Sequence, residues 1–127
     1  MTVLVACNDS HHGDAALRAG IAEAARRRLP LAVLVLNPGT TVPQVLADRL
    51  AALPEGVAQP EVTFRAETTE PSDAVLDAAE AVHATLVVLG ARKRSSQGTF
   101  VMGTTTQRVL LDAPVPVLVV KDTYDQP

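Results

Sequence analysis

Between Gly90 and Thr106 the chain combines residue types that suit the holding of an anion. Gly90 and Gly103 let a backbone approach a phosphate closely, and Thr104, Thr105 and Thr106 add hydroxyl donors. Arg92, Lys93 and Arg94 bring three positive charges to the same segment. If the threonines open a helix, its unpaired N–H groups and the positive end of its dipole face the same ligand. The composite reads as a phosphate cradle. Two simpler readings stand beside it: Thr104 as nothing more than a helix cap, and the Arg92–Arg94 run as a solvated basic loop.

Other reactive side chains are less well placed. His11 and His12 are adjacent, so they point in different directions, and no carboxylate or thiol stands at metal-ligand spacing from them; no metal site is expected. Cys7 closes an apolar run and reads as a small core residue rather than a nucleophile. His83 is expected late in a helix as a surface or packing residue. Asp9, Asp14, Asp73 and Asp77 read as helix-start and exposed-face acids, with no pair spaced for acid–base work. No catalytic constellation emerges.

The elements that must position the cradle alternate between strand-like and helix-like, the pattern of a parallel sheet flanked by helices. Thr2 to Cys7, Leu31 to Leu36, Glu61 to Ala66, Thr85 to Leu89 and Val115 to Val120 read as five strands. Four are nearly continuous apolar runs, as expected for strands covered on both faces, whereas Glu61 to Ala66 alternates and belongs at an edge. Leu17, Ile21, Ala24 and Ala25 recur at helical spacing, ending in Arg26, Arg27 and Arg28, which complement a helix dipole. Val42 to Leu53 is expected to form a second helix, followed by a loop from Pro54 to Pro60. Pro71 suits the first position of a third helix with Val75, Ala78, Ala79 and Val82 inward. Thr104 to Asp112 makes a fourth, whose Thr104 and Gln107 have capping-box spacing and whose apolar stripe is Thr106, Val109, Leu110 and Ala113.

Composition narrows the function. The chain has 127 residues, 47% of them hydrophobic and 20% charged, which suits one domain over residues 1–127 with a sizeable core. Its formal charge of -3 and its three aromatic residues, Phe64, Phe100 and Tyr124, argue against nucleic acid as a partner. No apolar run approaches the ~20 residues that cross a bilayer. One cysteine, which can form no internal disulfide, and an opening without the marks of a secretory signal lead to an expectation of cytoplasmic residence.

The long spacing of the cradle resembles that of the universal stress protein family, which carries glycine, two residues, glycine, nine residues, then glycine and serine or threonine. Here Gly90 is followed by Lys93 in place of the second glycine, then nine residues lead to Gly103 and Thr104. The tail Leu110 to Lys121 is similar to the family's closing helix and strand, and Val3 to Ser10 resembles its first strand and Asp-Gly-Ser turn. The resemblance implies an α/β fold, an open five-stranded parallel sheet in the order 3-2-1-4-5 with helices on both faces, Rossmann-like in kind. It also implies ATP or another adenine nucleotide at the edge between strands one and four, with Mg2+ beside a triphosphate. By the same carry-over Ala6, Cys7, Asn8 and Leu36 would hold the adenine, and Leu89 and Gly90 would lie beside the ribose and phosphates. Gly103, Thr104, Thr105 and Thr106 would take the phosphates, with Arg92 and Lys93 either pairing with them or obstructing them. The family usually dimerises, which points to a homodimer through Val115 to Val120.

Four positions depart from the family pattern. Asn8 replaces its aspartate, Asp9 and Thr69 replace turn glycines, and Lys93 replaces the motif glycine. The leading expectation is a nucleotide-binding stress-response regulator. The alternatives are a dimeric interaction protein with a degenerate pocket, and a slow ATP hydrolase.

Overall fold

The computed structural model describes residues 1–93 and 100–121, with Arg92, Lys93, Phe100 and Val101 described through their backbone. The elements run β1 (Thr2–Cys7), α1 (His11–Arg27), β2 (Leu31–Val35), α2 (Gln44–Ala51), β3 (Glu61–Phe64), α3 (Pro71–Ala81), β4 (Ala84–Lys93), β5 (Phe100–Val101), α4 (Thr104–Asp112) and β6 (Val117–Lys121).

β1 lies in the middle, parallel to β2 on one side and β4 on the other; β3 extends the sheet beyond β2, and β6 pairs in parallel with β4. The parallel order is therefore β3-β2-β1-β4-β6, the expected 3-2-1-4-5 once the short β5 is set aside. β5 pairs antiparallel with the end of β4, Arg92 opposite Val101 and Lys93 opposite Phe100. Two residues carry no period of their own, so this hairpin has no signature in the sequence.

Period-two alternation divides the core. Val3, Val5 and Cys7 of β1 pack with Ala16, Leu17 and Ala24 of α1 and with Leu46 and Leu50 of α2. Leu4 and Ala6 face the other way, onto Ala74, Val75 and Ala79 of α3 and Val109 of α4. Helices thus cover both faces, which is why β1, β2 and the inner part of β4 read as unbroken apolar runs. β3 alternates exposed and half-buried residues, as an edge strand should.

The termini of the elements require some corrections. β4 continues through Gly90 to Lys93 instead of ending at Leu89, because its last residues gain β5 as a partner. β6 begins at Val117, after a bend at Pro114 and Val115 whose second proline, Pro116, uses its carbonyl to accept the Val87 N–H. α2 is confined to Gln44–Ala51, with Pro43 as its cap. His83 lies beyond α3, in a left-handed turn (φ 53°) that leads into β4. Arg28 takes the left-handed position that ends α1, while Arg26 and Arg27 reach back to Glu23 at 2.6 and 2.9 Å, so these arginines finish a helix.

Candidate functional site

At the carboxyl ends of the parallel strands, β1 leads to α1 on one face while β4 leads to α4 on the other. Such a reversal opens a crevice between the two strand ends. A cleft of about 460 Å³ occupies it. Ala6, Cys7 and Asn8 from the end of β1, Leu36 after β2, Leu89 and Gly90 of β4, and Gly103, Thr104, Thr105 and Thr106 at the start of α4 all line this one cleft. The structure therefore brings together ten of the twelve residues singled out by sequence. The backbone of Arg92 and Lys93 is in the β4–β5 hairpin. Their side chains, and Arg94 to Thr99 of the expected cradle segment, lie outside the described residues.

Six residues beyond those twelve also line the cleft: His12, Gly13, Asn37, Pro38, Arg65 and Pro71. Most come from loops and helix starts that follow the strands, where no periodicity marks a residue as inward. A usable signal was present, since Asn37 and Pro38 lie just beyond a strand paired to β1, and Arg65 is a cation directly after β3.

The start of α4 differs from the capping box that the spacing of Thr104 and Gln107 suggested. Gly103 is the N-cap and Thr104 the first helical residue, with no side-chain cap among the described residues; the Gln107 amide instead donates to the Met102 carbonyl at 3.0 Å. Among the described residues, the first N–H groups of α4 consequently meet no capping side chain at the cleft. Along α4, Thr106 and Val109 are buried while Leu110 is exposed, so the inward stripe is narrower than expected.

Gly90 and Gly103 have different reasons to be glycine. A Cβ on Gly90 would stand 2.1 Å from the His12 carbonyl oxygen, so its bare backbone admits the first turn of α1. A Cβ on Gly103 would meet nothing within 4 Å, and its φ of -67° suits any residue. Neither packing nor backbone geometry demands glycine at 103, and the space in front of it belongs to the cleft.

Opposite α4, the turn after β1 is fixed by its own hydrogen bonds. Ser10 caps α1 by accepting the Gly13 N–H at 3.0 Å, its hydroxyl contacts Asn8 Oδ1, and His12 Nδ1 lies 3.0 Å from it. Asp9 N–H donates to Asn37 Oδ1 at 2.8 Å, joining this turn to the loop after β2. Arg65 joins the next pair of loops, donating from Nε to the Leu36 carbonyl and from Nη1 to the Thr69 carbonyl, both at 2.8 Å. Cys7 is buried, and burial chiefly, with Asp14 adding to it, pushes its thiol up to about 12, which removes nucleophilic character. Asp14 is more than an exposed helix-start acid: it lies 3.2 Å from Arg18 and is gripped by Arg49 of α2.

This architecture has close counterparts. The model of the universal stress protein family matches residues 1–121. A universal stress protein of Mycolicibacterium smegmatis is 31% identical over 125 residues, covering 94% of this chain and 96% of the relative. The solved universal stress protein of Archaeoglobus fulgidus superposes with a TM-score of 0.73 at 29% identity, covering 95% of this chain and 98% of that one. A structure of the Archaeoglobus fulgidus protein in complex with dAMP gives 0.67 at 24% identity over 95% and 98% of the two chains. A universal stress protein in complex with cAMP gives 0.72 at 23% identity over 94% and 95%. With the sheet order, the crevice at its reversal and the match along nearly all of the sequence in agreement, the chain belongs to the universal stress protein family.

Proposed function

We propose that this protein binds an adenine nucleotide in the cleft between the ends of β1 and β4 and acts as a cytoplasmic stress-response regulator whose partner contacts change with occupancy. The observation that carries this reading is the start of α4: a helix end that among the described residues has no side-chain cap, a glycine whose β-carbon would meet nothing within 4 Å among them, and threonine hydroxyls, all at one wall of the cleft. In this reading Gly103, Thr104, Thr105 and Thr106 take the phosphates, Leu89 and Gly90 flank the ribose, and Ala6, Cys7, Asn8 and Leu36 wall the base. The dAMP and cAMP complexes of proteins with this fold support it. With ATP, Mg2+ would be held mainly by phosphate oxygens and water, because among the described residues no three His, Cys, Asp or Glu side chains converge.

A second reading, a dimeric interaction module whose pocket is vestigial, draws on apolar exposure around α4 and β6. Leu111 is 83% exposed, and Leu110 and Leu118 are exposed nearby in sequence. Native mass spectrometry with and without magnesium-ATP, AMP and cAMP separates the two. About one nucleotide per chain supports the sensor; a dimer that stays empty at millimolar nucleotide overturns it in favour of the interaction module.

A further inference from the structure

Arg65 lines the cleft as a plane that the protein itself holds in place. Its Nε donates to the Leu36 carbonyl and its Nη1 to the Thr69 carbonyl, both at 2.8 Å. The N–H bonds of a guanidinium lie in its own plane, so contacts from two of its nitrogens fix the tilt of the group as well as its position. One anchor follows β2 and the other precedes α3. Among the described residues Arg65 pairs with no carboxylate, and no Asp or Glu lines the cleft, so the plane keeps its charge.

A fixed tilt matters little for meeting a phosphate, which a mobile cation does equally well. It matters for presenting a flat face. Among the described residues no Phe, Tyr or Trp lines the cleft, and Phe64, next to Arg65 in sequence, packs against the core instead. His12, the other flat side chain at the cleft, belongs to the β4 side, where its carbonyl abuts Gly90. Arg65 is tied to Leu36, one of the residues that wall the base in the proposed function. We infer that Arg65 is the stacking platform for the nucleotide base, its guanidinium lying flat against the ring as a cation on a π-face. The inference rests on the proposed nucleotide site and adds the contact that holds the adenine there.

Calorimetric titration of the purified protein and two variants with AMP tests this. Arg65→Lys keeps the charge and loses the plane, so AMP affinity should fall about tenfold, the size of one base-stacking contact. Arg65→Tyr loses the charge and the N–H donors but keeps a plane, so it should bind AMP tighter than Arg65→Lys does. Ribose 5-phosphate, the same sugar and phosphate without a base, should behave alike toward the wild type and Arg65→Lys. Circular-dichroism melts check the fold, and the lysine comparison decides alone if the tyrosine variant does not fold. AMP affinity that Arg65→Lys leaves unchanged assigns Arg65 a role of charge and overturns the stacking. An equal fall for ribose 5-phosphate, or a folded Arg65→Tyr no better than Arg65→Lys, overturns it as well. A wild-type protein that binds no AMP overturns the nucleotide site itself.

Discussion

Gly90 lies so close to the first turn of α1 that a β-carbon on it would stand 2.1 Å from the carbonyl oxygen of His12. A motif glycine that the sequence suggests for phosphate approach is thus also required for packing a helix against a strand. Backbone cannot yield as a flexible side chain can, so Gly90→Ala should destabilise the fold by roughly 2–3 kcal/mol or more. Chemical denaturation measures it; a loss below about 0.5 kcal/mol, the range of ordinary surface changes, would mean the contact relaxes easily.

Gly103 should behave in the opposite way. Its β-carbon would enter open space, so Gly103→Val should leave the unfolding midpoint nearly unchanged, apart from a few tenths of a kcal/mol for a branched residue at a helix cap. Nucleotide affinity should fall at least tenfold, since the side chain occupies the approach to the α4 N–H groups. Undiminished affinity in a folded variant removes the cradle from this wall of the cleft.

Asp14 is held by Arg49, with Nε 2.9 Å from Oδ1 and Nη2 3.0 Å from Oδ2, and this fork ties α1 to α2. The Arg49 hydrogen bonds, ahead of its charge and that of Arg18, lower the Asp14 carboxyl below its usual 3.8 despite partial burial. A carboxylate depressed in the folded state stabilises above the unfolded value and loses that contribution as pH falls through the folded one. Because the Arg49 side chain is 43% exposed, solvent screening keeps the effect small. Asp14→Asn should cost about 1 kcal/mol at pH 7, and the gap to wild type should close well below pH 3.8. Urea unfolding at both pH values provides the check, and a gap independent of pH would assign the loss to packing.

Cys7 should resist alkylation. With its thiol at about 12 and its side chain buried, almost no thiolate exists at pH 8. Iodoacetamide followed by intact-mass measurement should label the protein only in denaturant. Rapid labelling of the native chain would show that the end of β1 opens readily.

The β6 edge of the sheet has one side paired to β4 and, among the described residues, no strand paired to its other side. If two copies associate through it, Val119→Lys should shift the mass in solution from dimer to monomer while leaving the melting profile of the monomer unit cooperative. A mass unchanged by the substitution would place any interface elsewhere.

Much of this organisation was legible in the linear chain. Apolar runs such as Val3 to Cys7 and Leu31 to Val35 determine buried parallel strands because burial on both faces requires them. Pro71 and Gly103 mark helix starts, and the Gly90–Gly103 spacing with its family resemblance led to the strand order and to ten residues that share the cleft. Only the tertiary structure decided how those residues are used. It settled that Gly90 is needed by α1, that Gln107 turns to Met102 instead of completing a capping box, and that Asn37 and Arg65 enter the cleft from loops. The physical reason is that periodicity records which face of an element is buried. Which acceptor a given N–H finds, and which side chain reaches across a crevice, depend on contacts as distant as Asp9 with Asn37 and Arg65 with Leu36, 28 and 29 residues apart.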